Sequence, residues 1–114
     1  MFDRPESGER AVIVQLDFGY DDLPDRLEEV RLLAESAGAM VCAEVHGKRR
    51  SPDAATFAGK GKVEEVAAEI AAHQADLVVF NHELSPAQER NLERALQCRV
   101  IDRTRLILDI FAQR

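Results

Sequence analysis

The chain has 114 residues, 46% of them hydrophobic and 32% charged, with a formal net charge of −6. That is material for one domain with one core, and an acidic surface excludes indiscriminate nucleic-acid binding by the whole molecule. No apolar run approaches the roughly 18–20 residues of a membrane span, and the opening MFDRPESGER has no apolar stretch of the secretory kind.

Residues 1–8 read as a flexible lead-in and residues 9–114 as the domain. "AVIVQL", residues 11–16, is a β-branched run of the kind buried in a parallel sheet. Asp21 or Asp22 can cap a helix over residues 23–37, with Leu23, Leu27, Val30, Leu33 and Ala34 on one face and Gly38 as its stop. "AMVCAEV", residues 39–45, is a second strand. A basic segment from His46 to Lys62 follows, and a second helix over residues 62–73 turns Val63, Val66, Ala67, Ile70 and Ala71 inward. "ADLVVF", residues 75–80, is the third strand. Ser85, Pro86 and Gln88 then form a helix start, with Ser85 as N-cap and Gln88 placed to bond back to it. That helix reaches Leu96 and buries Leu84, Leu92, Ala95 and Leu96. Residues 99–101 form a short strand, and Thr104 caps a last helix over residues 105–113 carrying Leu106, Ile107, Ile110 and Phe111.

The order β-α-β-α-β-α-β-α, with apolar strands that do not alternate, predicts an α/β fold of three layers, α/β/α. Its four-stranded sheet is parallel, with expected order 2-1-3-4. Right-handed crossovers bring every loop that leaves a strand to the carboxyl edge, and the crevice lies where the order reverses, between the first and third strands. Cys42 and Cys98 are far apart and outside any C-x-x-C pair, so they read as free buried thiols in a reducing cytoplasm.

Lys48, Arg49, Arg50, Lys60 and Lys62 crowd one segment whose only acid is Asp53, between helices rich in Glu. Such asymmetry is the footprint of a local polyanion contact, against the plain alternative of a solvated charge run. "GKGK", Gly59 to Lys62, fails the G-x-x-x-x-G-K-[ST] phosphate-loop pattern in spacing and lacks its hydroxyl. If Gly61 caps the second helix, its free N–H groups and dipole would still suit a phosphate beside Lys60 and Lys62. The alternative is a flexible entrance to a helix. Asn81, His82, Asp102 and Arg103 are the crevice candidates. His82, Glu83 and Asp102 resemble an acid–base group, yet no nucleophile with an oriented base accompanies them. The histidines lack metal-ligand spacing, so neither a catalytic residue nor a metal is expected in this chain.

"ATFAGKGKVEEV", "ELSPAQERNLERAL" and "VIDRTRLILDIFAQR" closely resemble the N-terminal domain of HflX-type GTPases, with "ERAVIVQL" and "LAESAGA" in support. The resemblance covers about residues 9–114, and Arg105 stands where that family usually has Gly. It implies a larger parent, with a helical hairpin and a GTPase domain beyond Arg114 that uses GTP and Mg²⁺. It also implies binding to the large ribosomal subunit and its RNA, ribosome splitting or rescue under stress, and a cytoplasmic location. This sequence has no Walker lysine loop, no D-x-x-G and no N-K-x-D, so GTP hydrolysis and its cofactors belong to the parent. An accessory adenine-nucleotide site, with its base in the crevice and phosphates at Gly59 to Lys62, and a structural brace for the GTPase domain are the alternative roles.

Overall fold

The computed structural model describes residues 8–112. All but Gly8 of the expected lead-in, and residues 113 and 114, lie outside them. Strands and helices alternate: β1 (Arg10–Asp17), α1 (Leu23–Ser36), β2 (Met40–Lys48), α2 (Lys60–His73), β3 (Leu77–Phe80), α3 (Pro86–Leu96), β4 (Arg99–Ile101) and α4 (Arg103–Ala112). The strands pair in parallel in the order β2-β1-β3-β4, as the apolar runs require.

The strand period of two divides the core. Val12, Val14, Val78 and Phe80 point to one face and pack with Val66 of α2 and with Leu92 and Leu96 of α3. Ala11, Ile13, Leu77 and Val79 point to the other, against Val30 and Ala34 of α1 and Leu106 of α4. All eight strand residues are fully buried, each of the larger ones contributing about 1.5–3 kcal/mol. Two covered faces explain why β1 and β3 carry apolar runs.

Local boundaries differ from the sequence reading in ways that matter for the site. β2 runs on to Lys48, because β1 stays paired with it as far as Asp17. Thus His46 and Lys48 belong to a strand and not to a loop. Helix α2 starts at Lys60 with Gly59 as N-cap at φ +87°, so Gly61 is not the cap. Helix α4 starts at Arg103, because the Asp102 carboxylate takes the Arg105 N–H at 3.0 Å and the Asp102 carbonyl takes that of Leu106. Asp102 is therefore the cap that Thr104 was expected to be, and Arg105 stands at the third helical position, ion-paired to Asp109. Asp22 precedes α1 but its carboxylate binds Arg26 instead of a backbone N–H. Ala71 and Ala95, expected inside, are exposed.

Other signals act as read. Ser85 and Gln88 form the reciprocal capping box, and Gly38 follows the end of α1 at φ +95°. Cys42 is the extra residue where the β1–β2 register shifts; both thiols are free, but they are half-buried and not the buried thiols expected. No helix among the described residues is long and apolar enough to cross a membrane.

Candidate functional site at the carboxyl edge

The basic segment is a pinned loop. The Arg49 N–H donates to Asp17 O at 3.0 Å, continuing the β1–β2 ladder beyond Lys48. Its guanidinium turns back to donate to Ser51 O and Ala58 O, both at 3.0 Å. The Asp53 carboxylate accepts from the N–H groups of Thr56 and Ala55, which hold it below the ordinary carboxyl range. Asp53 and Phe57 also exchange two backbone hydrogen bonds. From the side, α3 lends Gln88 Nε2 to Asp53 O and Asn91 Nδ2 to Ala55 O.

Inside GKGK the four residues have separate tasks. Gly59 adopts a left-handed φ, and any Cβ there would overlap the Arg49 guanidinium, so the position demands glycine. Lys60 is exposed, and Gly61 lies in open space within the first helical turn. Lys62 is tethered: its Nζ donates to His46 O at 2.8 Å and to Glu65 Oε1 at 2.7 Å. Gly47 makes room for that ammonium, since a Cβ there would collide with it. Of the five cations, Arg49 and Lys62 hold the backbone together, while Lys48, Arg50 and Lys60 are exposed. No side chain caps the start of α2, which leaves its positive end near these charges.

Beside the loop, an open groove of about 810 Å³ is lined by Asp17, Phe18, Gly19, Asp21, Lys48, Arg49 and Arg50. Phe18 is held edge-on by two rings, Phe57 at 6.0 Å and His82 at 5.7 Å between centroids. Phe57 itself sits at φ +68°, a strained conformation for a bulky residue. Composition did not reveal this aromatic group, because its members lie far apart in sequence.

The crevice between the ends of β1 and β3 is small, about 130 Å³, and its polar groups face one another. His82 Nε2 accepts the Leu16 N–H at 2.8 Å, which assigns the ring proton to Nδ1. Burial foremost, then the charges of Arg26 and Arg103, pushes its pKa down to about 4. Asn81 is 3% exposed; it donates to Gln15 Oε1 at 2.7 Å and accepts from Arg103 Nη1 at 2.8 Å. Arg103 also forks onto both oxygens of Glu29, at 2.6 and 3.3 Å. That hydrogen bond leads the lowering of the Glu29 pKa and the raising of that of Arg103. Asn81 and His82 therefore line the crevice, whereas Arg103 bridges α4 to α1. Asp102 caps α4 and also accepts the Leu84 N–H at 3.1 Å. Gln15, 4% exposed, was not singled out in sequence. Its one signal was an amide inside an apolar strand, which needs a buried partner. Among the described residues, no three His, Cys, Asp or Glu side chains group to hold a metal.

Residues 24–112 match a family described as GTP-binding GTPase N-terminal. The chain is 51% identical over 114 residues to GTPase HflX of Escherichia coli (strain K12), covering 100% of this chain and 27% of that protein. It is 43% identical over 106 residues to GTPase HflX of Caldanaerobacter subterraneus subsp. tengcongensis, covering 93% and 24%. It thus spans about a quarter of the length of these relatives. Among solved structures, a GTP-binding protein from the archaeon Sulfolobus solfataricus in complex with GDP superposes with a TM-score of 0.69 at 21% identity. That match covers 91% of this chain and 30% of the archaeal one, and at this identity it establishes the shared fold. The chain belongs to the GTP-binding GTPase N-terminal family, the N-terminal domain of HflX-type GTPases.

Proposed function

We propose that this domain positions its parent GTPase on the large ribosomal subunit by holding RNA phosphates at the carboxyl edge of the sheet. The supporting observation is that Lys48 at the end of β2, Arg50 in the pinned loop and Lys60 at the start of α2 are all exposed on an otherwise acidic body. A loop fixed by Arg49, Asp53, Gln88 and Asn91 presents charge without first losing conformational freedom. The uncapped start of α2 adds donors of the same sign. GTP and Mg²⁺ act in the remainder of the parent, in the cytoplasm, and ribosome splitting or rescue under stress is the task such positioning serves.

The test uses the full-length parent and purified large subunits. Reversing Lys48, Arg50 and Lys60 to Glu should weaken binding and flatten the dependence of log affinity on log salt by on the order of one unit per lost contact. Reversal of Arg90 and Arg94, exposed among the acids of α3, should do much less. Affinity and salt slope both unchanged in the triple variant would sink the proposal.

One observation favours a second role as a brace. The Arg103 fork onto Glu29 and Asn81 ties the start of α4 to α1 and β3, so forces on α4 reach the sheet. Altered GTP hydrolysis in an Arg103 variant with unaltered subunit affinity would select that role. The accessory nucleotide reading gains less support, because a crevice of about 130 Å³ is well below the ~300–1,000 Å³ of ordinary small-molecule sites.

A further inference from the structure

We infer that the groove between the ends of β1 and β2 is a pocket for one unpaired RNA base, so that the RNA held here is single-stranded. This rests on the phosphate-binding reading above and adds the class of RNA to it.

Three features converge in the groove. Its volume of about 810 Å³ admits a nucleotide, where the neighbouring crevice does not. Phe18 lines it as a part-exposed ring whose orientation is set by Phe57 and His82. A ring locked in advance is the arrangement on which a base stacks at little cost in side-chain entropy. The strained backbone of Phe57 is retained where it fixes that ring, as strain commonly is at ligand sites.

The third feature is the charge pattern. Lys48 and Arg50 line the groove together with Asp17 and Asp21. An acidic peptide would suit the cations but meet two carboxylates. A nucleotide suits both, with its phosphate on Lys48 and Arg50 and a base amino group donating to a carboxylate. Asp17 is half-buried and its Oδ1 accepts the Gly19 N–H at 2.8 Å, so Asp21, exposed at φ +58°, is the more accessible acceptor for the base edge. Bases with an exocyclic amine, such as cytosine, should therefore be preferred over uracil. Paired RNA hides its bases from such a pocket, whereas single strands can splay one out.

The experiment measures binding of the full-length parent to a labelled short oligocytidylate and to an abasic strand of equal length. The base-bearing strand should bind roughly tenfold more tightly, the scale of one base–aromatic stack. Phe18→Leu, which keeps an apolar side chain but no π face, should erase that ratio and leave abasic affinity unchanged. Asp21→Asn, tolerated at a left-handed φ, should narrow the preference for oligocytidylate over oligouridylate even if Phe18→Leu lowers the melting temperature. Equal affinity of the wild type for both strands would overturn the base pocket and leave the phosphate reading standing. Binding of neither strand would overturn both. Displacement of the oligocytidylate by an equimolar soluble nucleoside triphosphate would give the groove to a free nucleotide and overturn the RNA assignment.

Discussion

Two neighbouring junctions on the carboxyl edge hold similar residues and use them differently. At the β1–β3 junction, Gln15, Asn81, His82, Arg103 and Glu29 satisfy one another within the fold. At the β1–β2 junction, Arg49 and Lys62 are occupied by backbone carbonyls while Lys48, Arg50 and Lys60 remain exposed. A charged residue near a sheet edge thus says little about function until its hydrogen-bond capacity has been accounted for. Polar groups that are satisfied internally support the scaffold, and those left toward solvent are available to a partner.

The largest effect expected from breaking this contrast is at Asn81. Asn81→Ala removes the donor to the buried Gln15 Oε1 and one acceptor from Arg103, and should cost about 3 kcal/mol. Urea unfolding of the 114-residue chain measures this; a loss below about 1 kcal/mol would mean that the network contributes little.

A smaller effect follows from the His82 ring, and acid reveals it. The folded state keeps His82 neutral down to about 4, whereas the unfolded chain takes up that proton near 6.5. Between these values the unfolded state binds more protons. This contribution is therefore fully present above pH 6.5 and is lost as pH falls toward 4, by on the order of 2 kcal/mol after allowance for partial solvent contact. The difference in unfolding free energy between wild type and His82→Gln should drift by that amount across the window. A flat difference would place a charged ring in the folded state.

The smallest and sharpest comparison sets Lys62 against Lys60. Lys62→Met gives up the donation to His46 O and should cost about 1 kcal/mol, whereas Lys60→Met should stay within about 0.5 kcal/mol. On RNA the ranking should invert, with only the Lys60 change reducing the salt slope of binding in the full-length parent. Equal melting temperatures for the two variants would show that the Lys62 tether is energetically empty.

Much of the architecture was legible in the residues alone. Apolar runs such as AVIVQL and LVVF can be satisfied only with both faces covered, and covered faces imply parallel strands with helical crossovers. Ser85-Pro86-Ala87-Gln88 and Gly38 mark helix ends through bonds and dihedrals that are local to the chain, so they were readable too. Long-range pairing decided the rest. Which of the lysines in GKGK is exposed depends on whether a β2 carbonyl lies within reach of its Nζ. Asp102 and Thr104 both suit a cap, and the choice fell to Asp102, whose carboxylate also takes the Leu84 N–H from another loop. Phe18, Phe57 and His82 form one cluster only because β1, the pinned loop and β3 end at the same edge. Sequence determines what depends on near neighbours and on the covering of apolar surface. The assignment of each charge to scaffold or to partner depends on residues tens of positions apart, so only the tertiary structure decides it.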